Sequence, residues 1–259
     1  ALLLAAMPAG WFGWQLVEEK GWAADYRTAL GERRDIQLAD GTRVTLNTQT
    51  AIDVRFDATQ RTITLREGEI LVQTAPDTVF PRRPFSVQSI EGGMEALGTR
   101  FSVREEGNRT HLVVLEGAVR ITPKEAPSAQ RILQAGEQTS FTDSAIGRSA
   151  EVDDAAVSWT HGMLMADRMR IADFAAELER YRRGIVRVEP EVANLRVSGA
   201  FPVDDTDQAL AMLVSTVPVD AVTRLGGRWI TLVARQGSAQ EEVLEPAQEL
   251  GKIGQGRRQ

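Results

Sequence analysis

Between residues 33 and 142, apolar and polar positions alternate in short runs broken by glycine turns. Ile36 and Leu38 precede Asp40-Gly41, and Val44 and Leu46 follow it. Alternation on both sides of Asp-Gly predicts a hairpin, because both central turn residues must tolerate positive φ. The pattern recurs in Ile52, Val54 and Phe56, and again where Ile63 and Leu65 run into Glu67-Gly68 with Ile70 and Val72 beyond. Phe85 and Val87, then Phe101 and Val103, then Leu112 and Val114 before Glu116-Gly117 continue it; Val119 and Ile121 follow, and a last short pair flanks Ala135-Gly136. No helical period interrupts these runs, which predicts an all-β domain of short strands over 33–142. The turns fall at uneven intervals, so a strict repeat is excluded, while sandwich-like and solenoid-like arrangements both stay open.

Residues 143–160 lose the alternation, become small and acidic, and read as a linker. Past it the period changes. Ile171, Phe174, Ala175, Leu178 and Tyr181 share one helical face, with Gly184 as the stop. Ile185 to Val188 and Leu195 to Phe201 read as strands. Leu210, Leu213, Val214 and Val217 form a second helical face, with Asp205 or Thr206 as N-cap and Pro218 past its end. VDAVTRL and RWITLVAR flank Gly226-Gly227 as a hairpin. The predicted order over 161–235 is strand, helix, strand, strand, helix, strand, strand, a small α+β module with helices packed on a sheet. The polar stretch 236–259 reads as a mobile tail.

The chain starts ALLLAAMPAGWFGWQLV, without a charge before Glu18. A membrane-crossing helix needs ~20 apolar residues, so 1–17 is expected to be a truncated transmembrane anchor, with Trp11 and Trp14 at the interface. Residues 18–32 then form a juxtamembrane linker, and everything after residue 18 lies on one side of the membrane.

Charge and composition exclude much chemistry. A net charge of -6 and a pI near 5.2 provide no basic surface for nucleic acid. The absence of cysteine removes disulfides, thiolate nucleophiles and cysteine-held metals. His111 and His161 lack ligand spacing, so neither a metal nor a cofactor is expected. Asp204, Asp205 and Asp207 suit a helix N-terminus, Gly92-Gly93 lacks the lysine and helix of a phosphate loop, and no GxSxG elbow occurs. Pro81 and Pro84 bracket Arg82 and Arg83 in what reads as a solvated loop. What remains for binding is sheet edges and surface, with Trp229 and Ile230 on the last strand as candidate partner-binding residues.

Taken in order, LADGTRVTLNTQTAIDVRF, LREGEILVQT, PFSV, EALGTRFSVR, VVLEGAVRI, LQAGEQ and WTHGML resemble the FecR-type transmembrane anti-sigma factors of Gram-negative cell-surface signalling. IADFAAELERY and VSGAFPVDDTDQALAMLV are similar to the short N-terminal domain of secretins and TonB-dependent receptors. The resemblance implies a single-pass inner-membrane protein whose periplasmic region binds the signalling domain of a TonB-dependent outer-membrane siderophore receptor. It further implies a sigma factor held by a cytoplasmic domain absent from this chain, and processing by periplasmic and intramembrane proteases. An envelope assembly component related to secretin N-terminal domains is the alternative. Apart from one single-turnover step, no enzyme activity is implied.

That step is self-cleavage at a Gly-Thr bond, matched here by Gly98 and Thr99 in LGTRF. A threonine hydroxyl can attack the preceding carbonyl, and the resulting ester hydrolyses more readily than the amide. Strand parity adds that Thr99 shares the inward face of Phe101 and Val103, with Arg100, Ser102 and Arg104 outward. A buried hydroxyl there requires a partner.

Overall fold

The computed structural model describes residues 24–235. The expected anchor at 1–17, the start of the juxtamembrane linker and the tail at 236–259 lie outside them.

The short alternating runs form strands β1 (Tyr26–Arg27), β2 (Arg34–Gln37), β3 (Arg43–Leu46), β4 (Ala51–Phe56), β5 (Arg61–Glu67), β6 (Glu69–Gln73), β7 (Phe85–Gln88), β8 (Gly92–Ala96), β9 (Arg100–Glu105), β10 (Thr110–Glu116), β11 (Ala118–Pro123), β12 (Arg131–Gln134), β13 (Glu137–Phe141) and β14 (Ala150–Glu151). Among the described residues they make two seven-stranded sheets, ordered β1-β4-β5-β7-β8-β11-β12 and β14-β13-β10-β9-β6-β3-β2. Their inward residues, including Leu46, Ile63, Ile70, Phe85, Met94, Phe101 and Leu112, form one buried cluster drawn from both sheets. The packing is that of a sandwich, yet the path is a coil. The chain passes from β2–β3 to β4–β5, back for β6, and on in the same way to β14, advancing along both sheets without reversal.

That path changes the meaning of several glycine turns. Asp40-Gly41 does close the β2–β3 hairpin. Glu67-Gly68, Glu116-Gly117 and Ala135-Gly136 instead carry the chain from one sheet to the other, since β5 and β6, β10 and β11, and β12 and β13 lie in different sheets. Crossing between layers needs a sharp bend, and positive φ supplies it in both uses, so the local signal is shared.

Register sorts the turns into two ends. Asp25 Oδ2 accepts from Val54 N–H at 2.9 Å, and Tyr26 opposes Ile52, so the chain arrives alongside the C-terminal half of β4. The β4–β5 turn, the β6–β7 loop and the Gly98 and Gly117 corners share that proximal end. The Asn47–Thr50 corner, Gly68, and the β7–β8 and β9–β10 turns lie at the distal end.

The second unit contains β15 (Met163–Arg170), α1 (Ile171–Glu179), β16 (Ile185–Val188), a short α2 (Pro190–Ala193), β17 (Arg196–Pro202), α3 (Thr206–Thr216), β18 (Val219–Arg224) and β19 (Trp229–Ala234). β15 pairs with β17, and β19 lies between β16 and β18. Its own core gathers Ile171, Phe174, Leu178, Val197, Phe201, Leu213 and Leu232, with the Phe174 and Phe201 rings edge to face at 4.7 Å. Burying each such ring contributes about 1.5–3 kcal/mol. Asp205 caps α3, accepting from Gln208 N–H at 2.9 Å. No helix among the described residues is long and apolar enough to cross a membrane.

Two expectations shift. The α1 helix ends at Glu179 rather than near Gly184, and Tyr181 leaves its helical face for the β domain, where its hydroxyl accepts from Asn47 Nδ2 at 2.8 Å. The segment 143–160, expected to be a linker, carries β14 and a 3-10 helix at Asp154–His161 with Trp159 buried.

Candidate functional site

Gly98-Thr99 forms the corner between β8 and β9, with Gly98 at φ +79°. The carbonyl of Gly98 faces Gly117, where an added Cβ would lie 2.3 Å from that oxygen and 2.9 Å from Thr99 Cγ2. Only glycine at 117 lets the two corners stack this closely. Thr74 clamps the Thr99 main chain from the other side. Its hydroxyl accepts from Thr99 N–H at 2.9 Å and lies 3.1 Å from Thr99 O, while Thr74 N–H donates to that oxygen at 3.0 Å.

Thr99 is buried, as parity requires, but its hydroxyl has no hydrogen-bond partner. An orphaned buried hydroxyl costs about 1–3 kcal/mol, so this side chain is held where it has no structural bond to make. Of the positions expected to point outward, Ser102 is buried as well, donating to Ile70 O at 3.1 Å. His111 cannot serve as a base here. It lies six positions before Gly117 along β10, roughly 20 Å at strand rise, and its Nδ1 lies 3.0 Å from Ser140 Oγ.

The second feature had no sequence signal. Glu69 and Arg104 are cross-strand partners on the outer face of the second sheet, and α1 carries Glu177 toward them with Arg180 just past its end. Arg180 donates to Glu69 Oε2 at 2.8 Å and to Glu177 Oε2 at 3.0 Å, and Arg104 donates to Glu177 Oε1 at 2.7 Å. Asn47 Nδ2 also donates to Glu69 Oε2, at 2.9 Å, and Thr48 Oγ1 donates to the Arg180 carbonyl at 3.2 Å. Burial works against the charges on Glu177 and Arg180. The paired guanidiniums of Arg104 and Arg180 nonetheless hold Glu177 below the usual carboxylate range, and the Glu69 and Glu177 carboxylates raise Arg180 further. Burial pushes the Tyr181 hydroxyl up to about 12, so it stays neutral. A second bridge joins Arg33 to Trp159 O at 3.3 Å and to Asp204 Oδ1 at 3.5 Å. The α+β unit is thereby pinned to the distal part of the sandwich.

Residues 24–120 match the FecR protein family. The matched stretch runs from β1 into β11, so the likeness to FecR proteins lies in the β domain. A crystal structure at 1.65 Å of a "putative anti-sigma factor" from Parabacteroides distasonis ATCC 8503 superposes with a TM-score of 0.65 at 22% identity, covering 81% of this chain and 98% of that one. Another at 2.50 Å gives a TM-score of 0.64 at 22% identity, covering 81% and 97%. At that identity the likeness is one of fold. No curated protein matches the chain.

At the distal end of the β domain the buried Glu91 and the half-buried Glu105 bring their carboxyl groups together. Thr110 Oγ1 sits 2.7 Å from Ser89 Oγ, 2.8 Å from Glu91 Oε2 and 3.4 Å from Glu105 Oε2, and its single proton serves one of them at a time. Burial, reinforced by the neighbouring Glu91, pushes the Glu105 carboxyl up to about 8. The other residues singled out by sequence are dispersed. Ile230 is core, and Trp229 is half-buried on the middle strand β19 with Nε1 donating to Thr231 Oγ1 at 3.2 Å. His161 lies at the end of the 3-10 helix beside Thr160. Arg83, expected to be solvated, instead forks onto Asp77 at 2.9 and 3.1 Å. Among the described residues no cluster of three or more His, Asp or Glu could hold a metal.

Two outcomes follow from these geometries. Arg180→Met should loosen the β domain from the α+β unit by about 3 kcal/mol, because Glu69 keeps a buried charge without its cationic partner and Glu177 is left to Arg104 alone. Urea unfolding should then resolve separate transitions and proteolysis should open the 143–153 segment; unchanged coupling would contradict the pinning role. Glu105 gains its proton in the folded state up to about pH 8, whereas the unfolded chain releases it above 4.5. The folded form therefore binds more protons across that window, and stability falls as pH rises through it. Glu105→Gln should flatten that slope in chemical denaturation measured at a series of pH values.

Proposed function

We propose that this chain is the signal-receiving region of a transmembrane anti-sigma factor. In this reading the apolar stretch 1–17 tethers it to the inner membrane, and the described residues lie in the periplasm of a Gram-negative bacterium. There they bind the signalling domain of a TonB-dependent outer-membrane receptor. A cytoplasmic domain outside this chain holds the extracytoplasmic-function sigma factor. The FecR family match and the fold shared with a structure named for an anti-sigma factor support the role.

The observation that carries the binding mode is the edge strand β18. It has a strand neighbour on one side only, and Val222 and Thr223 are exposed on it, with Leu225 exposed just beyond. The opposite edge strand, β16, is less open, because Val186 N–H donates to Glu179 Oε2 at 3.2 Å. Trp229 and Ile230 then act from behind, as the strand against which β18 is held. A partner strand added at β18 would gain main-chain hydrogen bonds in register. Thr223→Pro, at a position whose N–H faces away from β19, should weaken binding of a receptor signalling domain at least tenfold in titration calorimetry, while Ile185→Ser on β16 leaves it unaltered. No binding by the unsubstituted chain, or ring-like self-association instead, would sink the receptor reading.

Self-cleavage at Gly98-Thr99 is a second activity, favoured by the orphaned Thr99 hydroxyl. In it, Thr99 Oγ1 attacks the Gly98 carbonyl carbon, the C–N bond breaks, and the amide nitrogen takes the hydroxyl proton. Water then hydrolyses the ester, leaving a Gly98 carboxylate and a free Thr99 amine and hydroxyl. Intact-mass measurement should give two fragments for the natural sequence and one chain for Thr99→Ala; equal fragmentation of both would exclude the reaction.

A further inference from the structure

The β6–β7 loop at the proximal end holds an apolar side chain away from the core. Phe80 is 94% exposed, Val79 beside it is exposed, and Leu97, at the neighbouring β8–β9 corner, is exposed too. This exposure is imposed by the loop itself. Asp77 accepts from Val79 N–H at 3.2 Å, from Arg83 N–H at 2.7 Å, and from both faces of the Arg83 fork. Arg83 Nη1 donates to Asp57 O at 2.9 Å, and Arg61 Nη2 donates to Arg83 O at 3.1 Å. A loop stapled at both ends cannot fold Phe80 back, and its ordering cost is already met before any contact forms.

The chain arrives at this same end. Residue 24 heads along β4 toward the β4–β5 turn, whose Asp57 carbonyl holds the Phe80 loop through Arg83. From residue 18 to residue 24 the chain spans roughly 25 Å at most, so an anchor at 1–17 brings this end of the sandwich, and not the docked α+β unit, next to the bilayer.

We propose that Val79 and Phe80 insert into the membrane surface and fix the sandwich with its proximal end down. This rests on the anchor reading of 1–17. Arg82, exposed two residues on, then stands at headgroup level, where a cationic side chain meets lipid phosphate. The exposed Asp57 nearby offsets its charge, so insertion is led by apolar contact. The consequence is orientation: β18 is carried on the side away from the lipid, and the Gly98-Thr99 corner is held close to it.

The absence of cysteine allows one label per molecule. The full chain carrying Phe80→Cys, or Ile90→Cys at the exposed distal turn, is labelled with an environment-sensitive nitrobenzoxadiazole dye and reconstituted in phosphatidylethanolamine–phosphatidylglycerol vesicles. The label at 80 should emit to the blue of the label at 90 and be quenched severalfold more slowly by aqueous dithionite. Asp77→Ala in the Phe80→Cys background should reduce the difference. A chain that fails to float with the vesicles overturns the anchor reading, and the proposal with it. A chain that floats with both labels equally exposed overturns the proposal alone, as does a shift at 80 appearing only when a receptor signalling domain is added.

Discussion

Arg180 ties the two halves of the molecule together. It sits just beyond a helix in one domain and is neutralised by Glu69 from a strand in the other, with Glu177 shared between Arg180 and Arg104. Charges this far out of water are tolerable only when every member is paired. In the docked position Asn47, Thr48 and Tyr181 also find their partners. A network of this kind specifies geometry more than it adds stability.

The coil of the β domain arranges what the docking then uses. Because the chain advances along both sheets at once, its turns collect at two ends rather than around a rim. The distal end receives the second domain. The proximal end receives the chain from its apolar leading stretch and gathers the stapled Phe80 loop, the Gly117 corner and the Gly98-Thr99 bond. The edge strand β18 and the Gly98-Thr99 corner thereby lie on different parts of the molecule.

Thr99 shows how a fixed main chain can leave a buried hydroxyl without a partner. Its amide and carbonyl are both engaged by Thr74, so the main chain is fixed. Its hydroxyl, the one group left without a bond, neighbours a carbonyl that Gly117 approaches too closely for any side chain. Strand parity foresaw the burial. It could not foresee the missing partner, since that depends on Thr74 and Gly117, residues remote in sequence.

Period and punctuation alone determined the class of each domain, most strand positions, a cap for α3 at Asp205 or Thr206, and the inward face of Thr99, because these follow from interactions within a few residues. The same glycine grammar could not distinguish a hairpin from a corner between sheets, since both demand positive φ and differ only in where the next strand pairs. Whether the strands formed a sandwich or a coil was likewise a long-range matter, and the answer combined them. The end of α1 and the fate of Tyr181 were set by the β domain, where Asn47 and Thr48 offered partners that the helix could not. The Glu69–Arg180–Glu177–Arg104 network was illegible for the same reason: each residue reads as an ordinary surface charge until docking removes the water around it.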